Sequence, residues 1–284
     1  MTPASSDHLQ RSAWCVLGSS LAFASMAALI KHLAVAMPGE MLVFFRNFFG
    51  LLALTPLLLR GGVSLRTAHP GWHIGRALFG LTAMYCFFYA LGKLPLADAV
   101  LLNYTAPLFT PLIAVVWLHE RVPSNVRWAI AVGFVGVLLI LKPGHDLFSA
   151  ATLVGLASGV FAALAMTSIR RMARTESALR IVFYFAVMAT AVSAVPLLWA
   201  WRAVAWAELI PLAGLGVLAS IGQLFLTKAY TLAPAARVGA LTYATVVFAA
   251  ALGWLLWGET LDIFSLGGAL LVGIGGAMAM RRFS

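Results

Sequence analysis

Residues 94–109 read LPLADAVLLNYTAPLF, and residues 233–248, 139 positions later, read APAARVGALTYATVVF. The same offset pairs Ala90 with Ala229, Pro95 with Pro234, Tyr104 with Tyr243, Phe109 with Phe248, Glu120 with Glu259 and Gly136 with Gly275. Each stretch runs into a Trp-rich helix end and an acidic turn, WLHER at 117–121 and WLLWGET at 254–260. Small residues are frequent enough in this chain to match by chance; a Pro, a Tyr and a Glu recurring together at one offset are harder to dismiss. The chain therefore reads as two copies of one unit, 12–142 and 150–280, behind an N-terminal tail of residues 1–11.

Outside the repeat the composition sets the solvent. Of 284 residues 62% are hydrophobic and 10% charged, against about 25% charged in ordinary soluble domains. A water-soluble globule cannot cover itself with so few charges, so soluble enzyme folds are excluded. The apolar residues come in runs of about twenty, enough at 1.5 Å per residue to cross a hydrocarbon core of about 30 Å. Splitting at charges, prolines and turn residues predicts ten spans, at 12–35, 39–59, 71–92, 97–118, 125–142, 150–171, 178–199, 207–230, 235–257 and 263–280. The connections are too short for an extramembrane domain, which places the function within the membrane. Cys15 and Cys86 lie inside apolar runs and are expected to stay free.

The net charge of +10 would point to nucleic acid in a soluble domain, but here the basic residues fall between hydrophobic runs. With the N-terminus inside, fourteen Lys and Arg face the cytoplasm, Arg66, Arg76, Arg171, Arg180 and Lys228 among them, and four (Lys31, Lys93, Lys142 and Arg202) face out. That bias predicts both termini in the cytoplasm. Since each unit has an odd number of spans, the second enters from the opposite side. The expected fold is an all-α polytopic membrane protein of ten transmembrane helices in two five-helix inverted-topology repeats, a construction that secondary transporters use for alternating access.

The stretch FYALGKLPLADAVLLNYTAPLFTPLIAVVWLHERV at 88–122, the Arg in VFFRNFFG at 43–50, the duplicated unit and the Gly-rich fifth and tenth spans resemble the EamA-type exporters of the drug/metabolite transporter superfamily. Within that group the chain is most similar to the bacterial aromatic amino acid exporters. The resemblance implies a carrier whose central cavity is bordered by spans 1, 3, 4, 6, 8 and 9.

Residue chemistry argues against catalysis. All nine acids and all six His fall at span ends or in loops, with no carboxylate pair, metal-ligand spacing or Ser-His-Asp arrangement within a span. No metal or cofactor is expected. A proton relay would fall to an end-located acid such as Asp98; otherwise transport follows the substrate gradient.

Polar groups at depth form the candidate substrate site. Span 8 carries Gly216, Ser220, Gln223, Thr227 and Tyr230 on one helix face, either a cavity wall or a packing seam. Span 4 carries Asn103, Pro107 and Thr110 at helical spacing, and Tyr85 with the repeat-related Tyr104 and Tyr243 supplies a π-rich pocket, unless Tyr104 and Tyr243 link the pseudo-symmetric helices; Tyr89 joins the pocket or an interfacial belt. Arg46 lies about 9 Å into span 2 and has Phe185 as its repeat partner; it either snorkels outward or serves function. Lys228 either attracts a carboxylate to the inner mouth or marks the cytoplasmic side. Pro107 and Pro111 interrupt span 4 as a kink or a gate. The reading is a monomeric exporter of amino acids, aromatic and other neutral amphipathic ones, with the lipid bilayer and a small solute as its partners and no nucleic acid. Its rivals are a carrier of a nucleotide or phosphate ester and a receptor or scaffold that transports nothing. The first rival ranks low because a dianion calls for converging cations and only Arg46 and Lys228 offer themselves.

Overall fold

The computed structural model describes residues 6–60, 66–67, 69–118, 124–140, 149–172, 175–232, 241–260 and 262–280. These contain twelve helices: α1 (Ser6–Leu33), α2 (Gly39–Arg60), α3 (Pro70–Leu91), α4 (Leu96–Asn103), α5 (Ala106–Leu118), α6 (Ser124–Ile140), α7 (Ala150–Met172), α8 (Ala178–Ala194), α9 (Leu197–Ala200), α10 (Trp206–Leu232), α11 (Ala244–Trp257) and α12 (Ile263–Met280). Four segments are long and apolar enough to cross a bilayer by length and composition: Gln10–Leu33, Pro70–Leu91, Ala150–Ile169 and Trp206–Leu226. Arg180–Ala194, Ala244–Trp257 and Ile263–Gly275 are shorter apolar helices.

Local chemistry fixes the helix ends. Pro70 starts α3, where its missing N–H costs nothing. The Ser149 hydroxyl accepts from the Thr152 N–H at 3.2 Å ahead of α7, Ser177 from the Arg180 N–H at 3.3 Å ahead of α8, and Asp262 from the Ser265 N–H at 2.7 Å ahead of α12. Gly258 closes α11 in the left-handed region at φ 67°, its N–H donating to the Trp254 carbonyl while the Glu259 N–H returns to Gly253. That turn folds Glu259 back across the helix end.

Three expectations need correction. The N-terminal tail is helical from Ser6 onward, because exposed polar residues such as Gln10 and Arg11 extend a helix without needing an apolar environment. Span 4 is two helices, α4 and α5, parted at Tyr104 and Thr105. Pro107 offers no N–H to Asn103, four residues earlier, yet proline is not the whole cause: a turn interrupts the helix at Tyr243 as well, where the offset places Val246 opposite Pro107. Span 7 is likewise split, into α8 and α9, at Pro196.

Helix boundaries recur at the offset of 139. α1 and α7 end at Leu33 and Met172, α2 and α8 start at Gly39 and Ala178, and α6 and α12 start at Ser124 and Ile263. Packing recurs as well: α1 lies on α10 and α11, its counterpart α7 on α3 and α5, and α6 and α12 pack on each other. In that last pair Gly136 sits against the Gly268 carbonyl and Leu271 so tightly that a Cβ would come within 2.8 Å of both.

The main core gathers at one end of the bundle, the end where α1 and α3 finish and α2 and α4 begin. Among the described residues it includes apolar positions within Ala24–Leu33, Met41–Phe45, Phe88–Leu91 and Leu96–Leu102, with Leu212, Leu215 and Ala219, and it extends along the helices to Leu81, Leu108, Ala189, Val246 and Val272. Toward the end where α3 begins at His73, Val16 and Ala229 form a separate described cluster, and Met172, Ile181, His73 and Glu176 are buried as well. Described apolar packing is thus densest toward the Lys31 end.

Candidate functional site

At the Lys31 end four elements converge on one ion pair. Lys31, in the last turn of α1, meets Glu259 Oε1 at 2.6 Å and donates to the Leu94 carbonyl at 2.6 Å. The other oxygen of Glu259 accepts the Leu96 N–H at 2.7 Å, at the N-terminus of α4, where the helix dipole favours a carboxylate. The ammonium stands 5.6 Å from the centre of the Trp257 ring. With side-chain exposures of 14% and 20% the pair is largely desolvated, so removing one partner strands the other charge, typically at a cost of about 3–5 kcal/mol when burial is complete. Nearby, Arg202 donates to Glu208 at 2.5 Å, and that carboxylate raises the guanidinium above its ordinary pKa.

Below this clasp the two repeat-related tyrosines touch. The Tyr104 hydroxyl donates to Thr245 Oγ1 at 3.0 Å, the Tyr243 hydroxyl donates to the Tyr104 carbonyl at 3.4 Å, and the ring centroids stand 6.3 Å apart. The break in each rod places its tyrosine at the seam between the halves, where Tyr243 reaches the Tyr104 carbonyl and Tyr104 reaches the Thr245 hydroxyl. Of the two alternatives for these residues, the geometry is that of a link.

The remaining expected residues divide. Asn103 donates to Ser158 on α7 at 3.1 Å. Ser220 donates to the Gly50 carbonyl on α2 at 3.3 Å, and a Cβ on Gly216 would fall 2.4 Å from the Gly50 nitrogen, so this part of the span 8 stripe is a packing seam. Farther along α10, Gln223 and Lys228 are exposed. Tyr85 keeps its hydroxyl buried without a partner, whereas Tyr89 is 46% exposed and lies apart from the others. Pro107 and Pro111 occupy the second and sixth positions of α5.

Arg46 lies on α2 with Nη1 donating to Asn47 Oδ1 at 2.9 Å, and the Asn47 amide in turn reaches Met84 Sδ on α3 at 3.7 Å. It has company that the sequence did not announce. Arg76, which the sequence counts among the cytoplasm-facing cations of span 3, is on α3 one turn inside His73, with Nε and Nη1 buried and unpartnered. Helical side chains normally lean toward the N-terminus, which here would carry the charge out to the His73 end. Arg76 leans the other way: Nη1 lies 2.1 Å from where a Cβ on Gly80 would stand, so this pose uses the space that glycine leaves. The guanidinium sits 4.0 Å from the centre of the Phe185 ring, and Phe185 is the repeat partner of Arg46. Both arginines retain some accessible surface.

Magnitudes show what is missing. An arginine at depth costs at least about 2.5–3.5 kcal/mol on insertion scales, and each unmatched buried donor adds about 1–3 kcal/mol. A desolvated cation–π contact returns about 2 kcal/mol, which does not offset two like charges. Among the described residues no carboxylate pairs with Arg46 or Arg76. An anion from solution would supply the countercharge that the described residues do not.

From Arg76 toward the His73 end, α3 and α8 carry further polar groups. His73 stacks on Tyr184 at 4.4 Å, and its Nε2 lies 4.0 Å from Glu176, which accepts from Arg180 at 2.6 Å and from Thr67 at 2.6 Å. His73 and Glu176 are at helix ends, as expected, but they are buried, at 1% and 6% exposure. The signal for this column was present in the sequence: His73, Arg76, Gly80 and Met84 recur at steps of 3, 4 and 4 on one face of α3.

The profile of the EamA-like transporter family matches residues 10–142 and again 149–281. Over 260 residues the chain is 36% identical to the pseudopaline exporter CntI of Pseudomonas aeruginosa strain UCBPP-PA14, covering 89% of this chain and 90% of that protein. It is 27% identical to an S-adenosylmethionine uptake transporter of Rickettsia felis, covering 96% and 92%, and 27% identical to a riboflavin transporter of Vibrio cholerae, covering 88% and 86%. A crystal structure covers 96% of both chains at a TM-score of 0.62 and 22% identity, a likeness of fold. These relatives carry metabolites and catalyse no reaction by name; two matched halves and a relative at 36% identity show that the chain belongs to the EamA-like transporter family.

Proposed function

We propose that the protein is a secondary transporter that exports an amino acid or amino-acid-derived metabolite from the cytoplasm by alternating access. The observation that carries the reading is Arg46, a guanidinium at depth whose one hydrogen-bond acceptor among the described residues is a neutral amide. A substrate carboxylate completes it with a charge-assisted pair. Ten spans in two inverted repeats frame the site, with both termini in the cytoplasm of a bacterial inner membrane. The basic residues support this orientation: Arg11, Arg66, Arg171 and Lys228 are exposed at the His73 end. The export direction is supported by the name of the Pseudomonas relative.

The Lys31 end is then the outer face, and the ion pair from Lys31 to Glu259 closes it. Among the described residues apolar packing is densest toward the Lys31 end, which supports an inward-facing conformation. Aromatic preference has weaker support than the amino-acid class, since Tyr104 and Tyr243 hold each other and Tyr89 lies apart. The working unit is a monomer. Counterflow into proteoliposomes with labelled phenylalanine, tyrosine, tryptophan and threonine tests the proposal. Flux of at least one, lost in Arg46→Gln, is expected; a protein that moves none of them, or whose flux ignores Arg46, is not the carrier described here.

A further inference from the structure

The geometry points to a second anion subsite at Arg76, which together with Arg46 selects a solute bearing two negative charges. This deepens the carrier reading and rests on it. Arg76 presents two buried, unpartnered donors, its guanidinium is turned inward instead of snorkelling to the near face, and Gly80 leaves the space that this pose needs. Phe185 supports one face of the guanidinium and leaves its edge donors unfilled. Arg46 stands on α2, and α2 and α3 are in contact through Asn47 and Met84. Two cations on contacting helices, which no carboxylate pairs among the described residues, suit a ligand with an anionic group for each, or one doubly charged group shared by both. A single zwitterionic carboxylate satisfies only one. On sequence grounds a dianionic cargo ranks low because only Arg46 and Lys228 offer themselves; Arg76, counted there on the cytoplasmic side of span 3, adds a buried cation to that set.

The distinguishing chemistry is one charge at constant shape. Competition against counterflow in proteoliposomes compares N-acetylglutamate with N-acetylglutamine and succinate with succinamate; glycerol 3-phosphate probes whether the dianion is a phosphate monoester. In the wild-type protein the doubly charged member of a pair, or glycerol 3-phosphate, competes at least about tenfold better than the singly charged solutes. Arg76→Gln brings that ratio to about one, Arg76→Lys keeps most of it and shows that the variant site still folds, and Gly80→Ala lowers it by displacing the guanidinium. A wild-type ratio near one, or a ratio that Arg76→Gln leaves unchanged, overturns the inference while amino-acid flux preserves the carrier. Absence of all flux overturns both.

Discussion

At the scale of single residues the chemistry turns on charges the protein leaves incomplete. Arg46 donates to one neutral amide and Arg76 lies over one ring; both gain when an anion arrives and lose when it departs, which a carrier requires of its site. If Arg46 carries a charge-assisted bond of about 1.5–3 kcal/mol to the substrate, Arg46→Gln raises the KM for flux by about 10- to 150-fold at 25 °C. Arg46→Lys recovers part of that, because an ammonium supplies charge without the planar fork. Tyr243→Phe removes one hydroxyl at the seam and is expected to lower thermal stability by about 0.5–1.5 kcal/mol with little change in KM, read by a melting curve beside a flux assay. Arg46 could be picked out from sequence as a lone cation deep in an apolar run. Arg76 could not be separated from the positive-inside residues, since five positions of helix precede it and only the side chain's direction tells a snorkelling arginine from an inward one.

Elements show why some of the sequence reading carried into three dimensions. The offset of 139 governs helix boundaries and packing partners because each half solves the same burial problem with the same spacing of small and large residues. Gly136 illustrates it: its lack of a side chain lets α6 and α12 meet backbone to backbone, and Gly136→Val is expected to separate them and lower the melting temperature in detergent by several degrees. What the pattern of apolar residues could not give is the breaks. α4 and α5 read as one run, and the interruption at Tyr104 recurs at Tyr243 without a matching proline. Hydropathy cannot see such a break, because a turn buried among helices is as apolar as the helices it joins. The seam of Gly216 and Ser220 was similarly ambiguous: small polar residues on one helix face fit a packing contact and a cavity wall equally until Gly50 is found opposite them.

Across the whole molecule the distribution of the core among the described residues supports the proposed inward-facing state. The main cluster reaches the Lys31 end, where the pair from Lys31 to Glu259 ties α1, α4 and the turn after α11 together. Glu259→Gln keeps the size and removes the charge, so the Lys31 end should open more readily and the balance shift toward an outward-facing form. The thermodynamic limit on such a shift is the free energy of the lost interaction. The most direct test is thiol labelling of Gln223→Cys, in a background with Cys15 and Cys86 replaced, using a membrane-impermeant reagent on oriented vesicles. The account predicts rapid reaction from the cytoplasmic face with the pair intact, and in Glu259→Gln slower reaction from that face together with new reaction from the other. Labelling from one face at one rate, whether or not the pair is present, would contradict it.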